Sequence, residues 1–164
     1  MSAQPSEPSS QDQQAPQDQF QRLKWVIAAL REYCPWTQQL THESLTEYLV
    51  EESQEVLEEI AAGNTGDSLR KELGDVLMQV ALHAAIASER GDFDLDDVAE
   101  AIGSKLIRRS PHVFTPEGSL NPTDATVEEI DAAWDRIKAE EKAAEKAAAE
   151  QAALRRTGPA EGAA

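Results

Sequence analysis

The sequence predicts an all-α fold, a compact helical bundle of about five helices. Three observations carry that expectation. Apolar residues recur at three- and four-residue steps over long stretches, and glycines and prolines fall where those stretches end. The hydrophobic content is 40% with only 5% aromatic, which describes a core of Leu, Val, Ile and Ala of the kind that packed helices use. No stretch alternates convincingly as a half-buried strand would.

The first helix is expected from Phe20, because Phe20, Leu23, Ile27, Leu30 and Cys34 form one stripe at about 100° per residue, and Pro35 ends it. A second runs from about Glu43 to Ala62, stopped by Gly63, Asn64 and Gly66. A third, the central helix, spans Asp67 to about Arg90; from Val76 to Ala87 it is apolar nearly all round, so it must be covered on several sides. Gly91 closes it. Asp94 can cap a fourth helix from Leu95 to Ser110, before Pro111. Thr126 and Glu129 form a capping box for the fifth, which carries Val127, Ile130, Trp134 and Ile137 and then loses its stripe near Lys142. Pro111 to Asp124 is the longest irregular stretch.

This gives three segments: a disordered tail over 1–17 rich in Gln, Ser, Pro and Asp, a domain over 18–142, and a low-complexity tail over 143–164. The chain has 15 Lys and Arg against 31 Asp and Glu, a net charge of −16, which repels a nucleic acid backbone and leaves small phosphates only if cations bridge them. No apolar run approaches the roughly 18 residues that a membrane span needs, and the first 19 residues lack a hydrophobic signal region, so a cytoplasmic location is expected. Cys34 is the only cysteine, which excludes an intrachain disulfide and a cysteine-built zinc cluster; with no base beside it, it reads as packing.

The acids are placed unusually. If Leu49, Val56 and Ile60 define the buried arc of the second helix, Glu52 falls within roughly 40° of Val56 and Glu55 about 60° further round, whereas Glu51 and Glu58 point away. On the third helix Glu72 lies beside the core side set by Leu69, Val76, Val80 and Ala87, with Asp75 about 60° on. From the residues alone two readings stand: rim acids of amphipathic helices, or four converging carboxylates compensated by a divalent cation. An all-oxygen set suits a hard ion such as Mg²⁺ or Mn²⁺. A di-iron site would want Glu-x-x-His pairs, and neither His42 nor His83 stands three residues after a glutamate. His83 reads as a hydrogen-bonded core residue.

Glu51-Glu52-Ser53-Gln54-Glu55 followed by Glu72-Leu73-Gly74-Asp75 resembles the MazG family of all-α nucleoside triphosphate pyrophosphohydrolases. The resemblance extends through Cys34-Pro35-Trp36, Thr41-His42-Glu43-Ser44-Leu45, Phe93 to Asp97, Lys105 to Phe114 and Trp134 to Lys138. It implies Mg²⁺-dependent hydrolysis of a nucleoside triphosphate to the monophosphate and pyrophosphate, in the service of nucleotide-pool sanitation, with Glu52, Glu55, Glu72 and Asp75 as metal ligands and Mn²⁺ as a substitute ion. Under it, Lys105 and Arg109, four apart on the fourth helix, meet the triphosphate while Arg108 points elsewhere. Trp134, and less so Trp36, become stacking candidates for base or ribose. His112 stays open between structure and substrate. Thr37 and Leu40 depart from the family pattern, which often has Asp and Gln there. Many members carry two such domains, and this chain has room for one.

Two alternatives stand beside this reading: a narrow dUTP, dCTP or phosphoribosyl-ATP pyrophosphatase of the same fold, and a non-enzymatic helical binding module. A single domain with a helix apolar all round also implies a homodimer or higher homo-oligomer.

Overall fold

The computed structural model describes residues 15–157, so the expected disordered tail lies outside the described residues over 1–14, and the end of the low-complexity tail does so over 158–164. Five α-helices follow in order: α1 (Gln19–Tyr33), α2 (Leu45–Ala61), α3 (Asp67–Ser88), α4 (Leu95–Arg109) and α5 (Val127–Thr157), with a short 3-10 turn at Thr37–Gln39. The chain divides into two compact units, the first ending at Ala99 and the second beginning at Glu100, within α4.

In the first unit α2 and α3 form the main packed pair and α1 lies against α3. The core is Ile27 of α1, Leu40, Leu45 of α2, and Ala81, Leu82 and Ile86 of α3, with Leu23, Met78, Ala85 and Leu95 packed against it. Small residues dominate the buried face of α3, so the helices approach closely; Ala81, Ala84 and Ala87 are all at most 3% exposed. The Gly63 backbone at φ +76° turns α2 into α3, a conformation that a side chain would strain.

The starts of α4 and α5 are built as the sequence suggests, and α1 gains a cap as well. Asp18 accepts from the Gln21 amide at 2.9 Å to cap α1. Asp94 accepts from the Asp96 and Asp97 amides, while Asp97 accepts from the Asp94 amide, a reciprocal box at the start of α4. Thr126 and Glu129 do the same for α5, at 2.8 and 3.3 Å. The stretch after α4 is more ordered than its sequence suggests. Phe114 and Leu120 form an isolated antiparallel bridge, and the carbonyls of Val113 and His112 accept from the Asn121 and Thr123 amides at 2.8 Å.

Three readings change on folding. Ile60, taken as part of the buried arc, is 54% exposed, and Val50 and Leu57 of α2 and Leu73 of α3 are open to solvent too. The reason is that burial needs a neighbour, and the periodicity of one helix cannot say whether the same chain supplies it. Cys34 is only half-buried; amides of Thr37 and Trp36 hydrogen-bond its sulfur and hold its thiol pKa below the usual value. The third concerns Arg108, described with the site.

The 3-10 turn is pinned by two buried groups. The Thr37 hydroxyl donates to the Leu30 and Cys34 carbonyls, closing the end of α1. The Arg31 guanidinium donates to the Thr37 and Leu40 carbonyls and pairs with Glu89, just past the end of α3, at 2.6 and 2.7 Å. Thr37→Val keeps the shape and removes the hydroxyl. It should lower stability by about 1 kcal/mol, measured by urea unfolding, because the Leu30 and Cys34 carbonyls lose the donor that they share.

Candidate active site

The turn between α2 and α3 makes them an antiparallel pair, which brings the acids of α2 opposite those of α3. Oxygens of Glu52, Glu55 and Glu72 all lie within 4.8 Å of one another, Glu52 and Glu72 half-buried and Glu55 exposed. Asp75, also half-buried, stands outside that triangle, yet its charge acts on both Glu52 and Glu72. Glu51 and Glu58 are exposed, as their bearings require.

Crowding shows in the electrostatics. Burial raises the Glu52 pKa above the usual glutamate value, and the charges of Asp75, Glu55, Glu51 and Glu72 raise it further. Glu72 is raised by burial too, then by a hydrogen bond and charge repulsion from Glu55, and by Asp75 and Glu59. A set of like charges held together at a cost in protonation is compatible with one hard cation, whose charge would relieve the repulsion and whose preference is for oxygen ligands. Zinc chemistry has no nitrogen or sulfur donor within this cluster to draw on.

Two residues of this seam escaped the sequence reading. Glu59 continues the α2 face one turn beyond Glu55; it accepts from Ser68 and Asn64, which lowers its pKa and ties the start of α3 to the end of α2. Gln79 continues the α3 face and is 2% exposed. The signal was available, since Glu52, Glu55 and Glu59 repeat at i, i+3 and i+7 just as Glu72, Asp75 and Gln79 do.

At the other end of the seam His83 meets His42, Nδ1 to Nδ1 at 2.8 Å, with the rings stacked 5.1 Å apart. His83 is thus the hydrogen-bonded histidine that its place on α3 implied. Arg90 contacts the His42 Nε2 at 2.8 Å, and because a guanidinium only donates, His42 must accept there, carry its proton on Nδ1 and give it toward His83. Burial and His42 together lower the His83 pKa, which keeps that ring neutral.

The remaining candidates belong to the second unit. Lys105 is exposed and makes no ion pair among the described residues. Arg109 lies 5.2 Å from the centre of the half-buried Trp134 ring and pairs with Glu141 of α5 at 2.7 Å. Arg108 does not point elsewhere: it pairs with the same Glu141 at 3.1 Å. Both arginines reach one acid because α5 runs past the end of α4, a neighbour that the phase of α4 alone could not reveal. Trp36, in the first unit, is 58% exposed and meets Tyr48 edge to face at 6.3 Å, beside a cleft of about 440 Å³ that they line with Gln39, Glu43 and Glu47. His112 is half-buried, with its carbonyl engaged by Thr123.

Residues 40–114, which include all four acids, match the family model described as the MazG nucleotide pyrophosphohydrolase domain. The chain carries a MazG domain. It is 43% identical over 129 residues to the nucleoside triphosphate pyrophosphohydrolase/pyrophosphatase MazG of Thermotoga maritima, covering 77% of this chain and 47% of that one. It is 41% identical over 129 residues to the nucleoside triphosphate pyrophosphohydrolase of Escherichia coli K12, with the same coverage. To the Mycobacterium tuberculosis protein of that name it is 40% identical over 120 residues, 72% of this chain and 35% of the other. The chain thus spans about half the length, or less, of these MazG relatives.

The positions where this MazG chain departs from the expected motifs are Thr37 and Leu40, and both are buried, at 3% and 7% exposure. Thr37 closes α1 and Leu40 joins the core, so the departures alter packing around the site rather than its carboxylates. No described helix is long and apolar enough to cross a membrane.

Proposed function

We propose that this MazG chain hydrolyses nucleoside triphosphates to the nucleoside monophosphate and pyrophosphate, using a divalent cation, Mg²⁺ or in its place Mn²⁺, held by Glu52, Glu55, Glu72 and Asp75. The observation that carries this reading is the convergence of carboxylates from two helices with raised Glu52 and Glu72 pKa values. When bound, such an ion neutralises phosphoryl oxygens and activates water. The chain's own part is to hold the acids on two stiff, antiparallel helices, with α3 fixed from behind by its alanine-rich packing on α1. Water adds to phosphorus, the bond to the pyrophosphate oxygen breaks, and no covalent enzyme intermediate is required.

Lys105 and Arg109 are proposed to bind phosphate oxygens. Arg109 already has an acid and an aromatic partner, so it is the more rigid of the two and Lys105 the more available. For the base, Trp134 has one face engaged by Arg109, whereas Trp36 and Tyr48 leave an aromatic corner open one helical turn from Glu52. That corner favours a stacking role for Trp36 as well, and with it a preference among bases that a dUTP- or dCTP-specific enzyme would show in the extreme. The exposure of Val50, Leu57, Ile60 and Leu73 supports a homo-oligomer, and a cytoplasmic location fits a substrate drawn from the nucleotide pool.

The test is a panel of ribo- and deoxynucleoside triphosphates with Mg²⁺, with Mn²⁺ and with EDTA, the products separated by ion-exchange chromatography. Monophosphate and pyrophosphate should appear in equal amounts and only with the cation. Diphosphate and inorganic phosphate as products would refute the cleavage position. No turnover of any nucleotide would favour a binding module instead.

A further inference from the structure

Gln79 is the most deeply buried polar side chain of the first unit, 2% exposed, and its Oε1 has no hydrogen-bond partner among the described residues. An orphaned buried acceptor is destabilising, and a Leu or Met of similar volume would remove the penalty. Its place on the helix is informative. Counted from Glu72, Asp75 lies at about −60° and Gln79 at about −20°, so all three share one face of α3, the face turned to the acids of α2. Helical side chains lean toward the N-terminus of their helix, which for Gln79 is the direction of the turn carrying Asp75. On its other side the next residue of this face, His83, is already matched with His42.

The groups toward which Gln79 leans are ionisable acids, which accept hydrogen bonds when charged. The Gln79 Oε1 faces no donor among the described residues, and a ligand can bring one. Water on a hard cation has its lone pair committed to the ion and presents its hydrogens outward, and Mg²⁺ characteristically keeps several such waters. The geometry points to Gln79 as a positioning residue of the cation site: its Oε1 accepts a hydrogen bond from a water carried by the ion that Glu52, Glu55 and Glu72 hold. This rests on the cation reading above. It explains why an amide occupies a core position where an apolar residue would pack better, and it fixes one side of the ion's water shell from the interior.

The experiment is Mn²⁺ binding to the full chain by electron paramagnetic resonance, together with thermal melting in EDTA and in Mn²⁺. Wild type, Glu52→Gln, Gln79→Leu and Gln79→Met are compared. Gln79→Leu and Gln79→Met should keep or gain melting temperature in EDTA, bind Mn²⁺ about 10–100-fold more weakly, and lose most of the rise in melting temperature that Mn²⁺ gives wild type. The unbranched Met variant decides the matter should Leu disturb the fold. Wild-type Mn²⁺ affinity in a folded Gln79 variant would overturn the proposal and leave a buried amide of purely structural value. If wild type bound no Mn²⁺, or Glu52→Gln bound it equally well, the cation reading itself would fall, a result distinct from failure at Gln79 alone.

Discussion

Glu52→Gln should abolish hydrolysis while raising the stability of the metal-free protein at neutral pH. The substitution keeps volume and removes one charge from a cluster in which burial and four acidic neighbours hold the Glu52 pKa up. Loss of a ligand should cost about a hundredfold in rate or more, and Asp75→Asn should behave likewise. Retention of more than about a tenth of the wild-type rate in both would remove them from the cation's ligand set.

The stability gain carries its own pH signature. A glutamate whose folded-state pKa is raised favours the folded state when protonated; that contribution is complete below the ordinary glutamate value and is lost as pH rises through the raised one. Glu52 and Glu72 therefore weigh against folding at neutral pH in the absence of metal. The advantage of Glu52→Gln over wild type in EDTA should be full at pH 7 and should vanish as pH falls to and below the ordinary glutamate range. Chemical denaturation at a series of pH values measures it directly. A gain independent of pH would mean that charge crowding is not its source.

Arg109→Met should be the second most damaging change, because it acts twice. Its side chain is 15% exposed and bridges to Glu141, so its loss leaves that carboxylate to the more exposed Arg108 alone and should lower the stability of the second unit. If Arg109 also contacts phosphate, kcat/KM for triphosphates should fall by a further 10- to 150-fold or so, the worth of roughly 1.5–3 kcal/mol. Glu141→Gln separates the two effects: it weakens the same bridge but leaves the guanidinium free, so it should lose stability and keep kcat/KM. Lys105→Met should show the reverse, reduced kcat/KM with unchanged stability. Arg108→Met, at a position 52% exposed, should cost about 1 kcal/mol at most. Parallel losses in Arg109→Met and Glu141→Gln would make Arg109 a structural residue only.

The candidate site was legible in the sequence to the extent that helix phase determines it. The bearings of Glu52 and Glu72 against their apolar neighbours placed them toward the seam, and both are half-buried there. Phase also separated Glu51 and Glu58 from the cluster. It did not single out Gln79, because an amide carries no charge to attract notice and its significance depends on lacking a partner. Arg108 was misplaced for a related reason: the acid that draws it, Glu141, is 33 residues away on another helix.

The sequence by itself determined the five helices of the described residues and the caps of α4 and α5, since the Asp94 and Thr126 boxes, the Gly63 turn and the stop at Pro35 are contacts among residues at most a few positions apart. It determined the charge excess and the pairing of acids on α2 and α3 for the same reason. Only the tertiary structure decided which apolar residues find a neighbour, leaving Ile60 open while burying Leu45 to 1%, and which polar groups do, matching His42 with His83 but leaving Gln79 unsatisfied. Periodicity is a property of one helix, whereas burial and hydrogen-bond satisfaction are properties of two surfaces meeting, and the second surface lies far along the chain.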